Sequence, residues 1–195
     1  MNNRRNLSLL LGLFIVLAML VILTNQEPET ADMPQPTAAE TAEPLPEGSL
    51  LRVFTDLTVL DIQAIRLEDL TAGQELTLAR DTNGRWTAPD LEGELDTEAA
   101  SNIARTLVLL PYARSINIVP DTRFEDYGLA PRPQLLFQIL KMDGASHAIA
   151  VGNLSEAGHS YYSVVDERDE IYQLERGAVD FLKNLISARP IRLTN

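Results

Sequence analysis

The chain contains no cysteine. Disulfides therefore add nothing to its stability, a thiolate nucleophile and a His/Cys metal site are excluded, and no thiol is available to carry an N-terminal lipid. Histidine is scarce, with only His147 and His159, and there is one tryptophan, Trp86. Basic residues are few: 16 Lys and Arg stand against 28 Asp and Glu, for a net charge of −12. Without a basic run, a chain this acidic is not built for nucleic acid, and anionic lipid head groups should repel it. It has no Gly-rich phosphate loop, nucleophile elbow or zinc signature, so no cofactor is expected. No Lys or Arg occurs between Arg5 and Arg52.

Within that gap lies the most informative stretch. Arg4 and Arg5 precede an uncharged run from Leu7 to Thr24, LSLLLGLFIVLAMLVILT, of 18 residues. At ~1.5 Å per residue such a helix spans roughly 27 Å, close to the ~30 Å hydrocarbon core of a bilayer. The basic pair marks the cytoplasmic side, which puts the remainder outside the cytoplasm. The run is longer than the usual core of a secretory signal, and its exit, ILTNQEPET, offers no A-x-A-like cleavage site. A retained single-pass anchor over residues 1–24 is therefore expected, rather than a cleaved leader.

Residues 25–48 carry Pro28, Pro34, Pro36, Pro44 and Pro46, with Glu27, Glu29, Asp32, Glu40, Glu43 and Glu47 among them and no base. Low hydrophobicity with charge of one sign cannot offset the entropy of ordering, so a disordered tether is expected. Stretched in a polyproline-like form it would reach about 75 Å, at ~3.1 Å per residue.

The remaining residues, 49–195, suffice for one domain with its own core. Residues 62–69 (IQAIRLED) and 75–80 (ELTLAR) alternate as half-buried strands do. Asp81-Thr82-Asn83-Gly84 signals a hairpin of type I′, returning through residues 85–88. Asp96 or Thr97 starts a helix with Ile103, Leu107 and Leu110 on one face, stopped by Pro111. Residues 114–119 read as a strand. The pair Pro131 and Pro133 makes a rigid turn, followed by strands at 134–141, 147–151, 160–165 and 171–174 and a helix over 175–187. Both halves, 49–119 and 120–195, thus run strand, strand, strand, helix, with an extra strand in the second. The expectation is an α+β fold of short antiparallel sheets with helices packed on one face, built as two β-β-β-α pseudo-repeats.

The hairpin with Gly84-Arg85-Trp86, the helix, Tyr127-Gly128-Leu129 with Pro131 or Pro133, then Val151-Gly152 and Tyr161-Tyr162 resemble, in that order, a family of bacterial envelope domains. The family is catalogued as domain of unknown function 4340, and the resemblance covers most of residues 50–185. It implies one N-terminal anchor and an accessory role beside an ABC-type permease of the gliding-motility kind. It supplies no catalytic residues.

Candidate chemistry is sparse. Ser146 and Ser160 each neighbour a histidine, but adjacent strand residues point to opposite faces, which argues against nucleophilic catalysis. Asp90, Glu92, Glu94, Asp96 and Glu98 alternate in DLEGELDTE. That spacing fails as a calcium loop, because Leu95 and Ser101 stand where Gly and Glu are needed, and it suits the start of a helix better. Trp86 is expected in the core. Tyr161 and Tyr162 lie on alternate strand faces, so one should be exposed. With the charged tip Asp166, Glu167 and Asp169, they form the candidate partner-binding surface. The reading is a non-enzymatic, membrane-anchored extracytoplasmic domain that binds a protein of a membrane complex through a strand edge or exposed aromatics. The alternatives are a module for cell-envelope polymer (carbohydrate) and a carboxylate-dependent hydrolase.

Overall fold

Alternation of buried and more open side chains is clearest in two central strands of the domain, residues 62–69 and 135–141. In the computed structural model, which describes residues 51–192, β2 (Ile62–Asp69) buries Ile65, Leu67 and Asp69, while Ala64, Arg66 and Glu68 between them are half-buried. The period of two makes one sheet face a core and leaves the other partly open. The apolar run 7–24 and the tether 25–48 lie outside the described residues. Among the described residues, no helix is long and apolar enough to cross a membrane.

Nine strands form one sheet. They are β1 (Leu51–Arg52), β2, β3 (Gln74–Arg80), β4 (Trp86–Thr87), β5 (Pro111–Asn117), β6 (Leu135–Lys141), β7 (Ser146–Leu154), β8 (Ser160–Val165) and β9 (Glu170–Glu175). Their spatial order is β1-β5-β9-β8-β7-β6-β2-β3-β4. All eight neighbouring pairs are antiparallel. Two α-helices complete the described residues: α1 (Thr97–Val108), between β4 and β5, and α2 (Arg176–Ala188), after β9.

This corrects the expected α+β fold of short sheets with helices on one face in two pseudo-repeats. The fold is dominated by a single large antiparallel sheet. The first half is divided between its ends: β2, β3 and β4 join the β6 side, and β1 and β5 join the β9 side. The meander β6–β9 fills the middle. Most strands lie close to where the sequence puts them. The error was in the pairing. Turn chemistry specifies β2 with β3 and β6 with β7, but nothing local specifies β2 with β6, whose register sets Ile65 against Ile139 and Leu67 against Phe137.

The hairpin tip differs in a smaller way. A type I′ turn needs positive φ at both central residues. Here Gly84 alone takes φ +75, and its N–H donates to the Asp81 carbonyl. Asp81 Oδ1 accepts the N–H groups of Asn83 and Arg85. Trp86 is buried, and the Arg80 guanidinium lies 4.3 Å from its ring centre. That guanidinium also donates to the carbonyls of Ile62, Gly84 and Val59, so it fastens the hairpin to the chain entering β2.

The core face buries Ile65, Leu67, Leu76, Leu78, Leu135, Phe137, Ile139, Ile149 and Val151 of the sheet with Ile103, Leu107, Val179, Leu182 and Ile186 of the helices. Each such side chain contributes roughly 1.5–3 kcal/mol on burial. The opposite, outer face is not uniformly open. Tyr127 packs edge-on against Tyr162, with ring centres 4.9 Å apart. A Cβ added to Gly152 would stand 2.2 Å from the Tyr127 carbonyl oxygen. The Tyr127-Gly128-Leu129 and Val151-Gly152 motifs, distant in sequence, thus meet on this face.

Gly152→Ala is therefore expected to cost about 1–3 kcal/mol, as overpacking against backbone does, read as a lower urea midpoint with unchanged slope. A second expectation concerns acid. Asp69 is buried at the β2–β3 turn. Burial opposes its charge, but the Thr71 hydroxyl and the N–H groups of Ala72 and Thr71 prevail and hold its carboxyl below the usual carboxylate range. A lowered folded value gives stability that is present above the unfolded value of ~3.9 and is lost as pH falls through the folded one. Asp69→Asn should start less stable at pH 7 and lose less on acidification below pH ~4. An identical acid profile in both proteins would contradict this.

Candidate functional site

On the outer face, where β5, β9 and β8 lie side by side, the surface sinks into a cleft of about 570 Å³. That is within the ~300–1,000 Å³ usual for small-ligand sites. Its lining alternates as the pleat requires. Tyr162 stands directly opposite Gln173, and Ser160 opposite Glu175. Tyr161, Ser163, Tyr172 and Leu174, between them, point to the core face. Ala113 and Arg114 enter the cleft from β5 at a bulge between Tyr112 and Ser115. Such an extra residue re-aims side chains, here bringing an arginine to the rim. The β7–β8 loop supplies Ser155, Glu156 and His159. It is held by Arg176, whose side chain donates to the Gly158 carbonyl and whose backbone N–H donates to that of His159.

The floor is polar and deeply buried. Ser155, Ser160 and Gln173 are 7%, 6% and 5% exposed. Ser155 and Ser160 Oγ lie 3.0 Å apart, and Ser160 Oγ lies 3.3 Å from Gln173 Oε1. A hydroxyl has one proton to give, so both contacts are satisfied only if Ser155 donates to Ser160 and Ser160 donates to Gln173. The relay ends there. Gln173 Nε2 is buried and has no hydrogen-bond partner among the described residues. Burying such a group unpaired costs roughly 1–3 kcal/mol.

Two carboxylates border the cleft, Glu156 and Glu175. Glu175 is committed to structure: its oxygens accept the N–H groups of Gly177 (2.8 Å) and Ala178 (2.7 Å), capping α2. Glu156 is exposed. Among the described residues no three His, Asp or Glu converge as a metal site. Ser160 Oγ is bonded to Ser155 and Gln173, and no bond joins it to His159 among the described residues. The cleft offers donors, acceptors and an aromatic ring, an arrangement suited to holding a ligand.

The candidate surface read from sequence is not one patch. Tyr161 faces the core, half-buried, and its hydroxyl donates to Asp180 at 2.8 Å. Burial, reinforced by that carboxylate, raises its pKa. Tyr162, on the opposite face, lines the cleft. Asp166, at the far end of β8 and at φ 51, accepts the Ala148 N–H and sits 2.8 Å from His147 Nδ1. Glu167 and Asp169 are exposed at that tip. Arg168 turns inward to the Val53 carbonyl. Of the acidic series before α1, Asp96 caps the helix through the N–H groups of Glu98 and Ala99, and Glu94 pairs with Arg192. Sequence reasoning missed Arg114, Ser155 and Gln173. A glutamine inside the otherwise apolar strand IYQL was the one available signal.

The ends of the sheet are the other candidate surfaces. β4 covers only Ala79 and Arg80 of β3, and Gln74–Leu78 has no outer neighbour strand among the described residues. The β2–β3 pairing runs without a bulge, and the one charge in that stretch, Glu75, is paired with Arg66 at 2.8 Å.

No family model, curated protein or solved structure matches the chain, so the family resemblance rests on the motif residues alone.

Because Glu175 caps α2, Glu175→Ala is expected to lower stability by about 1 kcal/mol, measured by chemical denaturation, with Glu175→Asp recovering part of it. No change in either variant would remove the capping role.

Proposed function

We propose that the chain is a membrane-anchored binding protein of the cell envelope, whose domain lies outside the cytoplasm and docks a protein of a membrane complex. The apolar run 7–24 after Arg4 and Arg5 supports the anchor, and the proline-rich acidic stretch 25–48 supports reach. An accessory role beside an ABC-type permease is what the family resemblance adds.

The observation that carries docking is the β3 edge. Sheet proteins usually blunt an edge with a bulge, proline or unpaired charge. Gln74–Leu78 has neither bulge nor proline, and its one charge, Glu75, is drawn toward β2 by Arg66, which Glu68 shares at 3.1 Å. A partner strand added here would gain main-chain hydrogen bonds, with alternate side chains supplying selectivity. β1, where the chain enters the sheet, lies at the opposite end of the strand order, so docking at β3 leaves the entry strand unobstructed.

The test places a photo-reactive residue at the exposed position of Gln74, or at exposed Asn117 on β5, in the full chain in cells. A discrete adduct with a component of an integral-membrane complex is expected from position 74 and not from 117. Equal adducts from both positions, or none from 74, would overturn the docking mode. Protease added to spheroplasts should remove the domain; full protection would overturn the location.

A further inference from the structure

We propose that the outer-face cleft is a binding site for a neutral, hydroxyl-rich ligand, a saccharide, whose acceptor oxygen takes the unpartnered amide of Gln173. The inference does not rest on docking at β3, since the cleft and that edge lie at different places in the sheet.

Three observations carry it. The first is the orphan itself. Gln173 is 95% buried, lines the cleft, and has its carbonyl oxygen occupied by Ser160 and its Nε2 by nothing among the described residues. An apolar side chain of similar size would fill the same volume without that penalty, so the amide is explained by something that arrives from outside. The second is charge. Among the described residues Arg114 is the one Lys or Arg in the lining, and Glu156 and Glu175 stand against it. An anion would meet two carboxylates in a domain that is itself acidic. An apolar ligand would strand the serines, the amide and Arg114. A ligand whose groups both donate and accept suits every wall: hydroxyls donate to Glu156 and accept from Gln173 and Arg114. The third is the aromatic. Tyr162 is half-buried in the cleft and braced by Tyr127 at 4.9 Å, and a braced ring offers the C–H face of a sugar an ordered apolar surface.

Shape agrees with this assignment. The cleft is open on one side and walled by the β5 bulge and the Arg176-fastened loop. Those are two of the irregular places around a regular pair of strands, β8 and β9; the third is a bulge in β7 between Val151 and Leu154. The first two add polar side chains to the lining: Arg114 from one, and Ser155, Glu156 and His159 from the other.

The experiment uses the full chain in a detergent without a sugar head group. Maltotriose, chitotriose and trigalacturonic acid are titrated separately, followed by saturation-transfer NMR. Binding of at least one neutral trisaccharide is expected, with the acidic one weaker by severalfold. Gln173→Leu should weaken binding of the neutral sugar at least tenfold while leaving the melting temperature close to that of the unaltered chain, because removal of a buried unpaired amide offsets the loss of the acceptor that Ser160 uses. A merely structural glutamine would lower the melting temperature instead. Should that variant fail to fold, Glu156→Gln at the exposed rim is the second probe, with a severalfold loss expected. Cosedimentation with purified wall polymer separates the sources: pelleting identifies an envelope glycan, and trisaccharide binding without pelleting identifies a soluble sugar. No transfer from either neutral sugar, or undiminished binding by the folded variant tested, would overturn the proposal. A failed crosslink at position 74 leaves this result untouched, and the reverse also holds.

Discussion

The pairing of β2 with β6 is the constraint from which the rest of the architecture follows. It sets Ile65 against Ile139, Leu67 against Phe137 and Asp69 against Leu135, and every one of these side chains is buried. The strands are some seventy residues apart in sequence, but closing a loop of that length costs little more than closing a shorter one, because the penalty grows only logarithmically. Burial of several large apolar side chains, at roughly 1.5–3 kcal/mol each, outweighs it. A slip of β2 by one residue would turn Ile65 and Leu67 to the outer face while Phe137 and Ile139 stayed on the core face, so the apolar pattern itself holds the register. Once this seam is made, the β2–β4 hairpins extend one end of the meander. β5 on β9, with β1 beyond it, extends the other.

A nine-stranded sheet has a broad outer face. The chain treats that face unevenly. Gly152 admits the Tyr127 carbonyl to a distance that a Cβ would forbid, which brings the segment around Tyr127 down onto β7 and braces Tyr162. Beside this covered patch, the bulge in β5 and the loop after β7 raise walls around Gln173, and a cleft results. The stability given up at that floor, an amide without a partner, falls where the surface is concave and chemically mixed. Such local cost is characteristic of places that meet a ligand. The β3 edge has a different character: its pairing with β2 is regular, and Gln74–Leu78 has no outer neighbour strand among the described residues.

Much of the local structure was legible. Residues 62–69 alternate and form β2, and the β-branched and aromatic run 160–165 forms β8. Asp96 caps α1, and Pro111 follows its end. Trp86 sits in the core. The global arrangement was not legible, because hairpin signals such as Asn83-Gly84 and Asp143-Gly144 speak only for neighbours, and the similar strand-and-helix rhythm of the two halves suggested a duplication. No turn residue announces β2 on β6 or β5 on β9. The cleft was hidden for the same reason. Arg114, Ser155 and Gln173 are unremarkable in sequence and acquire meaning only when β5 is laid beside β9. Alternation puts Tyr161 and Tyr162 on opposite faces, but both are half-buried and neither is exposed as expected; the pairing of Tyr161 with Leu174 and of Tyr162 with Gln173 decides which faces the core and which the cleft.

The most direct test of this account is whether the halves are separable. Residues 120–195, produced without residues 49–119, would expose Leu135, Phe137 and Ile139 along an unpaired β6 edge and leave β9 without β5. The account requires that fragment to give a collapsed, poorly dispersed amide spectrum, with native dispersion restored when residues 49–119 are supplied in trans. A fragment that folds cooperatively by itself, with native chemical shifts across β6–β9, would contradict the claim that one continuous sheet, and not a pair of repeats, is the unit of this structure.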